Sequence, residues 1–377
     1  MAEDFLLKKL NERRQEGAFR QLRQERGKVD FCSNDFLGIA TNNLLFRSAE
    51  MGSKDPVTSL HHGSGGSRLL AGNYALIEDA EFLIADFHQA RAGLIFNSGY
   101  DANLGLLSCL PGRGDTILFD QLSHASLRDG IRLSFAFAFS FLHNDLQDLE
   151  ARLHRAVGNI FVVTESVFSM DGDLAPLERM AALCRRYQAH LIIDEAHATG
   201  VMGTHGAGLV QYLGLQDQCF ARIHTFGKGL GCHGAIILGS EVLRSYLINF
   251  CRPFIYTTAL PETSVAAIIS SYRLFPKMDQ ERKQLNGLVR MFLELTKSPS
   301  SPLKEGYLQG SFTPIQALIC PGNEMVGALS EKLGRENLDV RPVRYPSVPK
   351  GKERLRIVLH SFNSQDEVLA LAKCLAG

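Results

Sequence analysis

One pattern constrains this chain more than any other. Between about residues 75 and 270, short apolar runs alternate with helical stretches. The runs are Gly93–Phe96, Thr116–Phe119, Ile160–Val163, Leu191–Ile193 and Ile223–Phe226. The stretches between them include Tyr74–Gln89, Asn103–Leu110, Leu146–His154 and Leu177–Tyr187. Strand–helix–strand succession of this kind buries itself as a doubly wound, mostly parallel α/β sheet. Gly234–Leu238 reads as an antiparallel strand following a turn.

At 377 residues the chain exceeds what one small core fills, so a large and a small domain are expected. Residues 3–27 read as a charged amphipathic helix, which with a connector makes up 1–45. The large domain is expected over 46–275 and a small α+β domain over 276–377. The last helix opens with Ser364-Gln365-Asp366-Glu367, a capping-box pattern. Lys plus Arg is 40 and Asp plus Glu is 40, a balance that argues against nucleic acid as a partner while leaving a local anion site open. The eight cysteines are scattered without CxxC or metal-type spacing, so reduced thiols and no metal are expected. The first twenty residues contain no apolar signal-peptide core, and a cytoplasmic location is expected. Ser134–Leu142 (SFAFAFSFL) is too short to span a bilayer and suits a buried strand.

Open α/β sheets bind ligands beyond the carboxyl ends of their strands. Each apolar run here hands over to polar residues at that end. Phe96 is followed by Asn97-Ser98-Gly99-Tyr100, and Phe119 by a stretch reaching His124. Val163 leads to Thr164-Glu165-Ser166 and on to Ser169, Ile193 to Asp194 and His197, and Phe226 to Gly227-Lys228-Gly229. A Gly turn entering a helix at 98–100 aims amides and a positive dipole end at an anion; the same turn also serves as a plain strand-to-helix junction. Asp194 closes an apolar strand, where a lone carboxylate is costly. A protonated pyridine nitrogen would supply a cation; a helix N-cap or an arginine partner would also account for it. His197 could bond a ring oxygen and His124 could stack on a ring face, although a single histidine is commonly structural. Lys228 between glycines could become a desolvated, imine-forming amine, whereas a solvated loop lysine is the plain alternative. Their joint placement at the sheet ends favours a cofactor site.

At the level of longer motifs the chain resembles the α-oxoamine synthases, a family of fold type I pyridoxal 5′-phosphate (PLP) enzymes. The matching stretches are SNDFLG (33–38), GSGGSR (63–68), FNSGYDAN (96–103), SHASL (123–127), TESVFSMDGDLAPL (164–177), DEAHATG (194–200), TFGKGLG (225–231), FIYTTALP (254–261) and RYPSVPKGKERLRI (344–357). The resemblance implies a PLP-dependent transferase fold with a doubly wound large domain and a smaller α+β domain. It implies Lys228 as the Schiff-base lysine and proton shuttle, Asp194 on the pyridine nitrogen, and His197 with Ser169 on the phenolic oxygen. His124 stacks on the ring, Ser98, Gly99 and Tyr100 lie by the cofactor, and Thr225 lies by its phosphate. Thr257 and Thr258 reach the phosphate of the other subunit of a homodimer. Asn34 and Arg356 hold the amino-acid carboxylate, and Arg20, Arg344 and Ser347 line the acyl-substrate side.

Within the family, GKGLG and DEAHATG fit the branch that joins L-alanine to a pimeloyl thioester, carried by coenzyme A or an acyl carrier protein, in biotin biosynthesis. A member using glycine or serine with another acyl thioester is the alternative. The connector before SNDFLG is short, and Tyr345 and Ser347 stand where the family often has Pro and Thr. A non-catalytic partner subunit would be expected to have lost Lys228, which is present. A dinucleotide oxidoreductase needs a GxGxxG after an early strand, which Gly63-Ser-Gly-Gly66 does not supply.

Overall fold

The computed structural model describes residues 3–22, 24, 27–45, 60–297 and 308–376. The strands in chain order are β1 (Val29–Asp30), β2 (Ala92–Phe96), β3 (Thr116–Asp120), β4 (Phe137–Phe141), β5 (Ile160–Glu165), β6 (His190–Asp194), β7 (Ala221–Thr225), β8 (Ala235–Gly239), β9 (Leu308–Gln309), β10 (Ile315–Ile319), β11 (Leu338–Asp339), β12 (Arg341–Val343) and β13 (Arg354–Val358). Each apolar run read as a strand contributes one.

Two compact units divide the chain. One holds 37–169 and 174–279, built on a seven-stranded sheet of order β2-β8-β7-β6-β5-β3-β4. The pairs β3/β4, β3/β5, β5/β6 and β6/β7 are parallel, and β8 runs antiparallel to both β2 and β7. The doubly wound α/β expectation holds, as does the antiparallel strand. Alternation along the buried strands feeds two apolar layers. Phe161, Val163, Ile192 and Ile223 pack with Ala102, Leu106 and Leu127 on one face, while Val162, Leu191 and Ile193 pack with Leu149, Leu177 and Met180 on the other.

One expectation about this sheet fails. The Phe-rich segment forms β4, but β4 is an edge strand and its first four residues are exposed, Phe137 by 56% and Phe139 by 50%. Only Phe141 is buried, and Phe135 outside the strand lies under the Arg113 guanidinium at 4.8 Å. Aromatic content raises strand propensity, but the order of strands decides which one is left uncovered.

The other unit gathers 1–36, 170–173 and 280–377. Its sheet, β12-β13-β10-β9, is antiparallel, and β1 pairs in parallel with β11. The helix expected over 3–27 stops at Gln15, and none of its residues is buried. Gly17, at φ +63°, ends it: its amide donates to Arg14 O and that of Ala18 to Arg13 O, a Schellman closure. Positions 23, 25 and 26 of that stretch lie outside the described residues. The capping box forms as read: the Ser364 amide donates to Glu367 Oε2 at 2.8 Å and the Glu367 amide to Ser364 Oγ at 3.2 Å. No helix among the described residues is long and apolar enough to cross a membrane.

Candidate active site

The parallel strands deliver their polar residues to one edge of the seven-stranded sheet. Asp194 ends β6 on the same face as Ile192, and its carboxylate is 5% exposed. Oδ2 accepts a hydrogen bond from Asn103 Nδ2 at 2.7 Å and Oδ1 one from the Ala196 amide at 2.9 Å. No lysine, arginine or histidine closes an ion pair with it among the described residues. A buried carboxylate with two neutral donors and no cation calls for a positively charged partner.

Lys228 sits on the turn between β7 and β8. That turn is held by hydrogen bonds from the Gly231 amide to Lys228 O, from Cys232 to Phe226 O and from Phe226 to Gly234 O. Two glycines of this turn have left-handed backbones, and neither flanks the lysine: Gly234 at φ +108° and Gly231 at φ +63°, where a Cβ would lie 2.7 Å from Ile39. Lys228 Nζ lies 2.9 Å from Nε2 of the buried His197. An amine and an imidazole at that distance can pass a proton.

His124 caps the Ala125–Leu133 helix by accepting the Ser126 amide on Nδ1. Burial pulls its pKa down, with Asp194 opposing and Lys228 adding to the fall. The ring is therefore neutral at neutral pH, and with Nδ1 accepting, its proton sits on Nε2. The His124 amide donates to Glu165 Oε1 at 2.7 Å. Glu165 closes β5 and is 3% exposed. Burial and then Asp194 push its pKa up to about 8, while Lys228 and the His124 amide pull the other way.

The Gly99–Cys109 helix starts at this edge, with Ser98 as its cap: Ser98 Oγ accepts the Asp101 amide at 3.0 Å and donates to Asp101 Oδ2 at 2.8 Å. A Cβ added to Gly99 would lie 3.4 Å from Thr225 Oγ1, so the Thr225 hydroxyl adjoins the helix's first turn. The exposed Tyr100 ring turns outward and donates its hydroxyl to Asp129. Ser169 is half-buried beyond β5. Asn97 Nδ2 donates to Thr257 Oγ1 at 3.1 Å and Thr258 O at 2.8 Å, so within one chain both threonines stand beside the residue that precedes Ser98.

The remaining expected residues belong to the other compact unit. Arg356 on β13 donates to Asn34 Oδ1 at 2.8 Å, and burial lowers its pKa to about 10. Arg20 donates to Ser347 Oγ at 2.7 Å. Arg344 lies over the Asn323–Arg335 helix, where a Cβ on Gly327 would meet its guanidinium.

Sequence reasoning passed over Asn103 and Glu165. Asn103 is 2% exposed and bonds both Asp194 and Ser126 Oγ, leaving its Oδ1 without a partner among the described residues. The available signal was an amide on the apolar face of a helix otherwise carrying Ala102, Leu106 and Leu107.

The residues present fit PLP. A protonated pyridine nitrogen answers Asp194, which has no cation among the described residues, the helix turn at Gly99 with Thr225 answers a phosphate, and Lys228 answers an aldehyde. Among the described residues no group of three or more His, Cys, Asp or Glu could hold a metal ion.

Residues 26–373 match the family model described as aminotransferase class I and II. An 8-amino-7-oxononanoate synthase from Emericella nidulans is 40% identical over 370 residues, covering 92% of this chain and 88% of that protein. Another from Marinobacter nauticus is 38% identical over 383 residues, covering 98% and 95%. Among solved structures, a PLP-bound serine palmitoyltransferase from S. paucimobilis superposes with a TM-score of 0.87, at 26% identity over 100% of this chain and 96% of that one.

Proposed function

We propose, from the premise that the chain belongs to the aminotransferase class I and II family, that it is a PLP-dependent C-acyltransferase. It condenses L-alanine with a pimeloyl thioester, with loss of CO₂, to 8-amino-7-oxononanoate in biotin biosynthesis. The observation that carries this reading is the site itself, Asp194 without a cation among the described residues and Lys228 against His197, in a chain 40% identical to an enzyme of that name.

Bound PLP supplies an electron sink for negative charge at the amino acid's Cα. Asp194 holds the proton on the ring nitrogen, and Asn103 and the Ala196 amide hold Asp194. His197 and Ser169 would hold the phenolic oxygen, and His124 would cover one face of the ring. Ser98, Gly99 and Tyr100 would lie by the cofactor at the helix start, with Thr225 by its phosphate. Lys228 would hold the cofactor's aldehyde carbon, and its free amine would take the Cα proton as general base; His197 at 2.9 Å keeps that amine directed. Asn34 and Arg356 grip alanine's carboxylate, which fixes the Cα–H bond in the orientation that lets it break. A bond then forms between Cα and the thioester carbonyl carbon, and the thiol leaves. The carboxylate departs as CO₂, and Lys228 returns a proton to Cα. Arg20, Arg344 and Ser347 face the acyl substrate. The enzyme works as a homodimer in the cytoplasm, with Thr257 and Thr258 serving the phosphate of the other copy's site.

The likeness to a serine palmitoyltransferase keeps serine in the test. The purified protein is incubated with alanine, glycine or serine and a panel of acyl thioesters, and CO₂ release and product mass are recorded. The expected pair is alanine with the pimeloyl thioester. Faster turnover with glycine or serine, or with another acyl chain, would overturn the substrate assignment.

A further inference from the structure

Two carboxylates stand side by side at the strand ends. Glu165 and Asp194 are register partners on adjacent parallel strands, and the alternation that buries Val163 and Ile192 in one layer turns both to that same face. They are 3% and 5% exposed. Adjacent strands lie about 4.8 Å apart, and two buried like charges at such spacing do not both ionise readily. Hydrogen bonding decides which keeps the proton. Among the described residues Asp194 accepts from two donors, Asn103 and the Ala196 amide, whereas the Glu165 carboxyl accepts from the His124 amide alone. The charged and titratable groups acting on Glu165 are Asp194 from β6, Asp120 at the end of β3, Lys228 from the turn after β7, and His124 itself. Two acids flank it against one amine.

We infer that Glu165 is a positioning residue that works protonated: it holds the main chain under His124 without placing a second negative charge beside Asp194. The inference rests on the reading of Asp194 as the partner of the ring nitrogen. In the neutral form, the Glu165 carbonyl accepts the His124 amide and adds no charge beside Asp194. When Glu165 ionises, a second negative charge opposes the electron density the ring must accept. That sets an alkaline limit on turnover near its pKa of about 8.

The test is infrared difference spectroscopy on protein labelled with carbon-13 glutamate, without and with PLP, together with pH profiles of kcat/KM. A labelled carboxylic-acid carbonyl band should disappear with an apparent pKa near 8 and be missing from Glu165→Gln. Glu195, the other buried glutamate held up, to about 7, remains in both proteins and cancels in the comparison. Glu165→Gln keeps the acceptor, so its kcat/KM at neutral pH should stay within about threefold while the alkaline limb vanishes. Glu165→Ala leaves the amide unsatisfied, and kcat/KM should fall about 10- to 100-fold at every pH. Should Glu165→Gln not fold, Glu165→Asp must replace the labelled band by an unlabelled one. A band or an alkaline limb that survives Glu165→Gln overturns the inference. Asp194→Asn separates the two readings: unchanged PLP affinity and visible spectrum there would remove the Asp194 assignment, whatever Glu165 does.

Discussion

Arg356 and Arg344 carry the same charge into different surroundings. Arg356 projects from a strand between buried Leu355 and Ile357, and desolvation lowers its pKa to about 10, so it stays charged at neutral pH but poorly hydrated. A carboxylate relieves that state. Arg356→Ala should therefore weaken alanine binding about 10- to 100-fold, the worth of a hydrogen bond to a charged group. Arg344 rests on Gly327 beyond the strand β12, so Arg344→Ala should leave alanine binding within about threefold and raise KM for the thioester. Spectroscopic alanine titration and steady-state kinetics on both variants decide between them. Loss of alanine binding in Arg344→Ala alone would exchange the two roles. At this scale the sequence spoke clearly where a polar residue broke an apolar run, as at Asp194 and Lys228. It was silent on Glu165, which looks like one acid among several until register sets it beside Asp194.

Elements explain why neighbouring acids take unrelated tasks. Asp194 and Glu195 follow each other in sequence, yet the Glu195 carboxylate accepts the Leu209 and Val210 amides, both at 3.2 Å, and so caps the short Leu209–Tyr212 helix. Gly208 makes this possible: its φ is +105°, and a Cβ there would overlap Glu195 Oε2. Gly208→Ala should cost about 3 kcal/mol, combining left-handed strain with displacement of a buried carboxylate. Chemical denaturation of wild type and variant measures it; a loss below about 1 kcal/mol would mean the cap rearranges freely. Local pattern sufficed to place β2, β3, β5, β6 and β7, because each combines apolar residues with a polar exit. It did not tell that β4 lies at an edge, since coverage depends on strands distant in sequence. Nor did helical periodicity reveal the stop at Gly17, where a left-handed backbone ends the helix whatever the charges beyond it.

The molecule as a whole enters through its copies. If Thr257 and Thr258 serve the other copy's phosphate, each site takes Lys228 from one chain and the threonines from its partner. Mixing inactive Lys228→Ala with an inactive Thr257→Val/Thr258→Val double variant should then restore activity, because one of the two mixed sites is wholly wild type. Subunit exchange followed by assay checks this, and no recovery despite proven exchange would place the threonines in their own chain's site. Chain continuity carries a further consequence. The unit built around β13 includes both ends of the chain, and β1 at Val29–Asp30 finds its partner β11 only at Leu338–Asp339. A ribosome adding 5–20 residues per second thus releases the amino-terminal segment roughly 15–60 s before its partner strand exists. Throughout that interval the segment carries Phe5, Leu6, Leu7 and Leu10, which stay exposed in the complete chain as well. Vectorial synthesis thus lets the seven-stranded sheet assemble first and makes closure of the second unit a late, nearly post-translational event.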